Sequence, residues 1–236
     1  MQELQPWGST RYEIVEGSHI SFQTDKAQVD IITNPHFGRM VFIDGVLQSA
    51  SADEAIYHEA IVGAVFLNKE TPAKVLIAGG AEGAAAREVL KVDSVSQVVM
   101  VDWDETLVNH MRGEIFAGGA FRDPRLIVRH HDIVEYLDSC NELFDCIILD
   151  LLDPCTDAEI NWLGLVFEKA YDLLMCGGNL VLNAGGNYEK VQEFICRYKG
   201  CEVIKIFVPS FQEFWYLVRV SKLQAKLSLY STLNTK

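Results

Sequence analysis

Five places in this chain gather side chains able to do chemistry. The first is Gly79-Gly80-Ala81-Glu82-Gly83, which follows the apolar run VLIAGG at 75–80. Glycines at the end of a strand let a ligand approach the backbone, and the helix that follows offers its positive N-terminus. The spacing departs from the dinucleotide GxGxxG, and Gly79 and Gly83 fit a GxxxG turn instead. A tight strand-to-helix turn needs the same glycines. The second is Asp102, followed by Trp103 and Asp104, at the end of VVMVD (98–102). A carboxylate about 20 residues past a glycine turn can accept both hydroxyls of an adenosine ribose. With Glu82 in the turn, the site repels a diphosphate and welcomes a cationic, adenosine-containing molecule such as a sulfonium.

The third is Asp132, just after LIVRH (126–130). Its carboxylate could accept an adenine amino group beside the Ile133 N–H, or it could cap a helix over Ile133–Leu137. The fourth is Asp150-Leu151-Leu152-Asp153-Pro154, at the C-terminal end of CIIL (146–149). Ligands of open α/β sheets bind at these strand ends, and two carboxylates suit a cationic amine and general-base work. A solvated loop is the plainer reading. The fifth is Tyr57-His58-Glu59, where Tyr57 or His58 could face a cleft, although a lone His on a helix is more often simply packed.

These residues need elements to position them. Between about 11 and 51, the short β-like runs Arg11–Val15, His19–Thr24, Gln28–Thr33, Arg39–Ile43 and Val46–Gln48 are separated by turn signals. Asp44-Gly45 between apolar runs is the strongest hairpin signal. Asp53 reads as the N-cap of a helix over Glu54–Leu67. From Lys74 the texture alternates: strands at 75–80, 98–102, 126–130, 146–149, 179–184, 202–208 and 215–220, with helices at 84–90, 105–111, 158–174 and 188–198. Strands apolar on both faces and alternating with helices make a doubly wound, mostly parallel sheet. The short loop between the last two predicts an antiparallel edge hairpin. The expected fold is α/β: a Rossmann-like, class I methyltransferase-type sheet of seven strands over 53–236, with a small N-terminal antiparallel β domain over 1–52. The polar tail after Ser221 reads as loosely ordered.

Composition narrows the function. The chain has 236 residues, 49% hydrophobic and 22% charged, which fits neither a disordered chain nor a membrane bundle. Acids outnumber bases 33 to 20, for a net charge of −13, which argues against nucleic-acid binding. No apolar run is long enough to span a bilayer, and the polar N-terminus does not read as a signal peptide. Cys140, Cys146, Cys155, Cys176, Cys196 and Cys201 form no CxxC and no zinc-type cluster. They read as small hydrophobes of a reducing compartment, so the cytoplasm is expected and no metal.

Together these motifs resemble the spermidine synthase (polyamine aminopropyltransferase) family from about Glu13 to Lys222. The segments that carry the resemblance are FGRMVFIDGVLQSASADEAIYHE (37–59), VLIAGGAEGAAAREVL (75–90), DPRLIVRHHD (123–132), FDCIILDLLDP (144–154) and VPSFQEFWYLVRVSK (208–222). The resemblance implies a transferase that moves the aminopropyl group of decarboxylated S-adenosylmethionine, a co-substrate rather than a resident cofactor, to putrescine or a similar amine. Methylthioadenosine would be released. At matching positions it implies that Gln28 contacts the ribose or sulfur side, Asp102 the ribose hydroxyls, and Asp132 and Ile133 the adenine. Glu82 would hold the aminopropyl ammonium, and Gly79, Gly80 and Gly83 would shape the turn. Gln48, Tyr57, His58, Asp153 and Phe211 would line the amine site, with Asp150 as proton acceptor assisted by Tyr57. It also implies a homodimer or homotetramer.

The chain departs from the family pattern at Ala81 and Ala84 for glycines, at Leu151 and Leu152 for serines, and at Phe211 for a tyrosine. Thr156-Asp157-Ala158 stands for Gly-Pro-Ala, and the sequence ends short of the usual family length. A methyltransferase using intact S-adenosylmethionine would share the fold and the ribose acid. Glu82, Asp150 and Asp153 argue against it, because they would face the carboxylate of that cofactor. A nucleoside-binding relative without catalysis is the third alternative.

Overall fold

The computed structural model describes residues 1–5, 8–186, 188–195 and 197–223. The chain opens with a hairpin of β1 (Gln2–Gln5) and β2 (Gly8–Arg11). A four-stranded antiparallel sheet follows, in the order β3 (Ile20–Gln23), β4 (Gln28–Asn34), β5 (Gly38–Ile43) and β6 (Val46–Ala50). The Asp44-Gly45 signal is realised: φ is +49° at Asp44 and +80° at Gly45, the left-handed pair a two-residue hairpin turn requires. The expected strand over Arg11–Val15 is not formed. The strand ends at Arg11; Tyr12 still exchanges backbone bonds with Met1 at 2.8 and 3.0 Å, and its hydroxyl donates to Glu3 Oε2 at 3.0 Å.

The helix α1 (Glu54–Phe66) then leads into the alternating region. Asp53 occupies its N-cap position without capping it; its carboxylate accepts the Ser210 N–H at 2.6 Å and ties α1 to the far edge of the molecule. Next come β7 (Lys74–Gly79), α2 (Ala84–Leu90), β8 (Gln97–Val101), α3 (Glu105–Met111), β9 (Leu126–Arg129), α4 (Ile133–Ser139) and β10 (Phe144–Asp150). They are followed by α5 (Asp157–Asp172), β11 (Leu174–Asn183), α6 (Tyr188–Ile195), β12 (Cys201–Val208) and β13 (Glu213–Ser221). The seven strands lie in the order β12-β13-β11-β10-β7-β8-β9. Pairs from β11 to β9 are parallel and both β13 pairings are antiparallel, so the edge hairpin is as expected. Of the tail expected to be loose, residues from 224 on lie outside the described residues.

Period-2 alternation explains the two layers of helices. Val75, Ile77, Val98 and Met100 pack against Ile61 and Val65 of α1 and Val89 of α2. Leu76, Val99 and Leu149 face the other way, onto Leu163 and Phe167 of α5 and Val191 of α6. Burying each such side chain is worth about 1.5–3 kcal/mol. Among the described residues no helix is long and apolar enough to cross a membrane.

The antiparallel sheet closes over the strand ends. Val29, Ile31 and Val41 share one apolar cluster with Leu107 and Met111 of α3 and with Phe116. Polar ties fix the closure: Thr24 Oγ1 donates to Asp104 Oδ2 at 2.6 Å, and Arg39 holds Glu114 through two bonds of 2.9 and 2.7 Å.

Candidate active site

A cleft of about 500 Å³ lies between the antiparallel sheet and the C-terminal ends of β7, β8 and β10. Its floor is set by backbone proximity. Gly79 and Asp150 are register partners on neighbouring strands, and a Cβ on Gly79 would stand 1.9 Å from the Asp150 carbonyl oxygen. With φ at +83°, Gly79 fits only as glycine. Asp150 therefore ends its strand with the carboxylate in the cleft, where Oδ1 accepts the Tyr57 hydroxyl at 2.5 Å. Burial raises the Asp150 carboxyl above the usual range, opposed by the charge of His58 and the bond from Tyr57. Burial and the Asp150 charge hold the Tyr57 phenol well above its ordinary value, so it stays a donor.

Asp153 is fixed by a short relay. Trp215 Nε1 and the Gly185 N–H donate to Asn183 Oδ1 at 2.8 and 3.0 Å, which orients the amide so that Nδ2 donates to Asp153 Oδ1 at 2.9 Å. Burial lifts the Asp153 carboxyl to about 6, with Asp150 and Glu213 adding to the rise and Asn183 opposing it.

His58 is buried between two acids. Nδ1 faces Glu54 Oε2 at 2.7 Å, and Nε2 faces Glu82 Oε1 at 2.8 Å. Burial alone would lower its pKa, but Glu82 and Glu54 lift it to about 10. The sequence places His58 in the amine site; the structure places it at the cleft wall as the cationic partner of Glu82. Two acceptors on its two nitrogens leave it no lone pair for an ammonium.

The other half of the cleft is apolar with two carboxylates. Asp102 Oδ1 accepts the Asp104 N–H at 2.9 Å, and burial raises its carboxyl against that bond and the one from Ala81. Asp104 itself is absorbed by structure, capping α3 through Leu107 N. Asp132 caps α4, its Oδ1 accepting from Val134 N at 2.8 Å and Glu135 N at 3.2 Å, and the residue also lines the cleft beside Ile133. Leu107, Met111, Leu151, Leu152 and Trp162 complete this wall. Trp103 stands at the rim, 59% exposed, with the Lys26 ammonium 4.8 Å from its ring centroid.

Gly80, Gln48 and Phe211 also line the cleft, and the Phe211 ring meets Trp215 at a 51° tilt with centroids 4.9 Å apart. Two expected residues do not line it. Gln28 alternates with Val29 and Ile31, which point toward α3, so its amide faces the opposite side and donates to Ser21 Oγ at 2.9 Å. Gly83 serves packing: a Cβ there would meet the Phe121 ring at 2.7 Å and Ala117 at 2.9 Å.

The sequence reading missed three contributors. Trp103 and Trp162 went unassigned as walls, although Trp103 directly follows Asp102. Glu213, which opens β13 and stands behind the cleft lining, carries no motif of its own. Its carboxylate lies 3.1–3.4 Å from where a Gly186 Cβ would stand, and its charge reaches Asp153. Among the described residues it has no hydrogen-bond or ion-pair partner. The cleft thus joins an apolar half that carries Asp102 and Asp132 to an acidic half that holds the Tyr57–Asp150 pair. Such a site suits a ligand with an adenosine-like end and a cationic end, beside a second cation.

Residues 54–230 match the spermine/spermidine synthase domain. The chain is 34% identical over 213 residues to the polyamine aminopropyltransferase of Korarchaeum cryptofilum, covering 86% of this chain and 66% of that protein. It is 35% identical over 178 residues to that of Thermococcus onnurineus, covering 75% and 63%. It therefore spans just under two thirds of the length of these relatives. Among solved structures, a spermidine synthase in complex with the transition-state analogue AdoDATO superposes with a TM-score of 0.85 at 25% identity, covering 94% of this chain and 79% of that one. The domain match and these relatives place the chain in the spermine/spermidine synthase family.

Proposed function

We propose that this protein is a polyamine aminopropyltransferase that moves the aminopropyl group of decarboxylated S-adenosylmethionine to putrescine or a similar amine. The observation that carries the reading is the hydroxyl of Tyr57 on Asp150, placed beside Asp153 and opposite the apolar half. The acceptor resembles a lysine side chain, with a pKa of about 10.4, so it arrives as an ammonium and cannot attack. Asp150 takes one of its protons. The freed nitrogen attacks the carbon next to the sulfonium, the C–S bond breaks, and methylthioadenosine leaves as a neutral thioether. The new secondary ammonium carries the charge that the sulfur lost. Asp102 would hold the ribose, Asp132 and Ile133 the adenine, and Glu82 the aminopropyl ammonium. Asp153, Gln48 and Phe211 would line the acceptor path, and positioning contributes several kcal/mol.

The same reading carries a cytoplasmic homodimer or homotetramer, with residues 1–52 and 53–236 as its two domains. Exposed Leu4, Ile20 and Val46 on the N-terminal strands support pairing there. The test is thermal unfolding with three nucleosides. Decarboxylated S-adenosylmethionine and methylthioadenosine should raise Tm, each stabilising by about 2.7 kcal/mol at 100 times its Kd, and intact S-adenosylmethionine should do so far less. A preference for the intact molecule would point to methyl transfer instead.

A further inference from the structure

Glu54 and Arg87 do not line the cleft, yet Glu54 is bonded to His58, which does, and Arg87 is bonded to Glu54. Arg87 grips Glu54 through Nη1 to Oε1 and Nη2 to Oε2, each at 2.9 Å. It is itself anchored by Nε to Glu88 at 2.8 Å and by Nη1 to the Phe116 carbonyl at 2.5 Å. Glu54 Oε2 also receives His58 Nδ1. The row Arg87–Glu54–His58–Glu82 therefore alternates in charge from the α2 side of the molecule to the cleft. A neutral imidazole would turn a lone pair toward one of its two acids, so this arrangement requires the imidazolium. The groups facing His58 are Glu54 from its own helix, Glu82 from the turn after β7, Asp150 from the end of β10, and the Tyr57 ring edge-on at 5.1 Å. Glu82 Oε1 is occupied by His58. Among the described residues Glu82 Oε2 has no partner.

We propose that Glu54 and Arg87 are positioning residues for the donor: they clamp His58 from behind, and His58 fixes Glu82 so that Oε2 receives the ammonium of the aminopropyl arm. The proposal rests on the assignment of Glu82 given above. Removing the charge of Glu54 would leave Arg87 and His58 facing each other across a neutral amide. His58 would then lose its proton more readily, and Glu82 its fixed partner. Effects of this kind on ligand-bearing groups are felt most by the ligand atom that the displaced group holds.

The experiment compares two nucleosides that differ by the aminopropyl arm, with its ammonium, and by the sulfonium charge that the arm places on sulfur. In Glu54→Gln, calorimetry should give about tenfold weaker binding of decarboxylated S-adenosylmethionine, the loss of a modest coupling, while methylthioadenosine stays within about twofold. A merely structural role would weaken both alike. Long-range ¹H–¹⁵N spectra of wild-type protein, with His58 assigned through His58→Gln, need no stable variant of Glu54. They should show His58 doubly protonated at pH 7.5, and in Glu54→Gln its titration should move downward. Equal losses for both nucleosides, no loss for either, or a neutral His58 in wild type would overturn the proposal. Wild-type protein that binds the two nucleosides equally would remove the aminopropyl site itself, and this proposal with it. A wild type that discriminates, with a variant that loses both equally, removes the proposal alone.

Discussion

The Tyr57 hydroxyl donates to Asp150 Oδ1 at 2.5 Å, joining the helix after the antiparallel sheet to the end of a central parallel strand. The bond engages one carboxylate oxygen and leaves the other toward the cleft. It also lowers the Asp150 carboxyl against the lift of burial. Tyr57→Phe should therefore cut turnover by roughly 10- to 100-fold, the worth of about 1.5–3 kcal/mol for a hydrogen bond to a charged group. The acid limb of its pH–rate profile should move to higher pH, because Asp150 loses a group that favours its charged form. Steady-state rates from pH 5 to 9 check both; an unshifted limb would separate Tyr57 from the proton acceptor.

Asp153 and Glu213 should govern acceptor binding rather than chemistry. Asp153→Asn and Glu213→Gln should each raise the amine KM, by about 1 kcal/mol or more, with smaller changes in kcat. In wild type the amine KM should fall as pH rises through about 6, where the Asp153 carboxyl ionises. An amine KM unmoved by either substitution would place the second ammonium elsewhere.

Asp102 should act on the nucleoside alone. Asp102→Ala should weaken methylthioadenosine by about 1.5–3 kcal/mol in calorimetry, the loss of charged hydrogen bonds. Unchanged affinity would remove Asp102 from the ribose.

The same burial makes Asp153 a stability cost without ligand. Its pKa rises from 3.8 to about 6 on folding, so the fold disfavours the charged form, and the penalty grows as pH climbs through that window. Asp153→Asn should be more stable than wild type at pH 8, on the order of 1 kcal/mol, and equal to it near pH 4. Glu54 has the opposite sign: the bonds from His58 and Arg87 outweigh burial and hold it at about 2, so its contribution is full above 4.5 and lost as pH falls through 2. Tm across pH 2–9 reads both.

Local patterns made much of this legible. Ala84–Leu90 and Glu105–Met111 stand as the sequence places them, because a glycine turn and an Asp104 cap mark their starts. The β1–β2 hairpin was illegible, since GlnGluLeuGln and GlySerThrArg carry one large apolar residue between them. In the site, Tyr57, Asp150 and Asp153 could be placed by motif. The partnership of His58 with Glu54 is readable as i,i+4 spacing, but Glu82 joins only through the packing of α1 on the β7 turn. Gln28 failed because strand register, which its motif does not encode, decides the face it points to. Glu213 was not singled out because sheet order, not sequence proximity, brings β13 beside β11.

The most direct test is the product of the reaction. Protein incubated with decarboxylated S-adenosylmethionine and putrescine, followed by mass spectrometry, should release methylthioadenosine and aminopropylated amine in equal amounts. Asp150→Asn should bind the nucleoside as wild type does and turn over roughly 10²- to 10⁴-fold more slowly, the usual range for a lost general base. No methylthioadenosine across a panel of di- and triamines, or near-normal turnover by Asp150→Asn at saturating amine, would contradict the account.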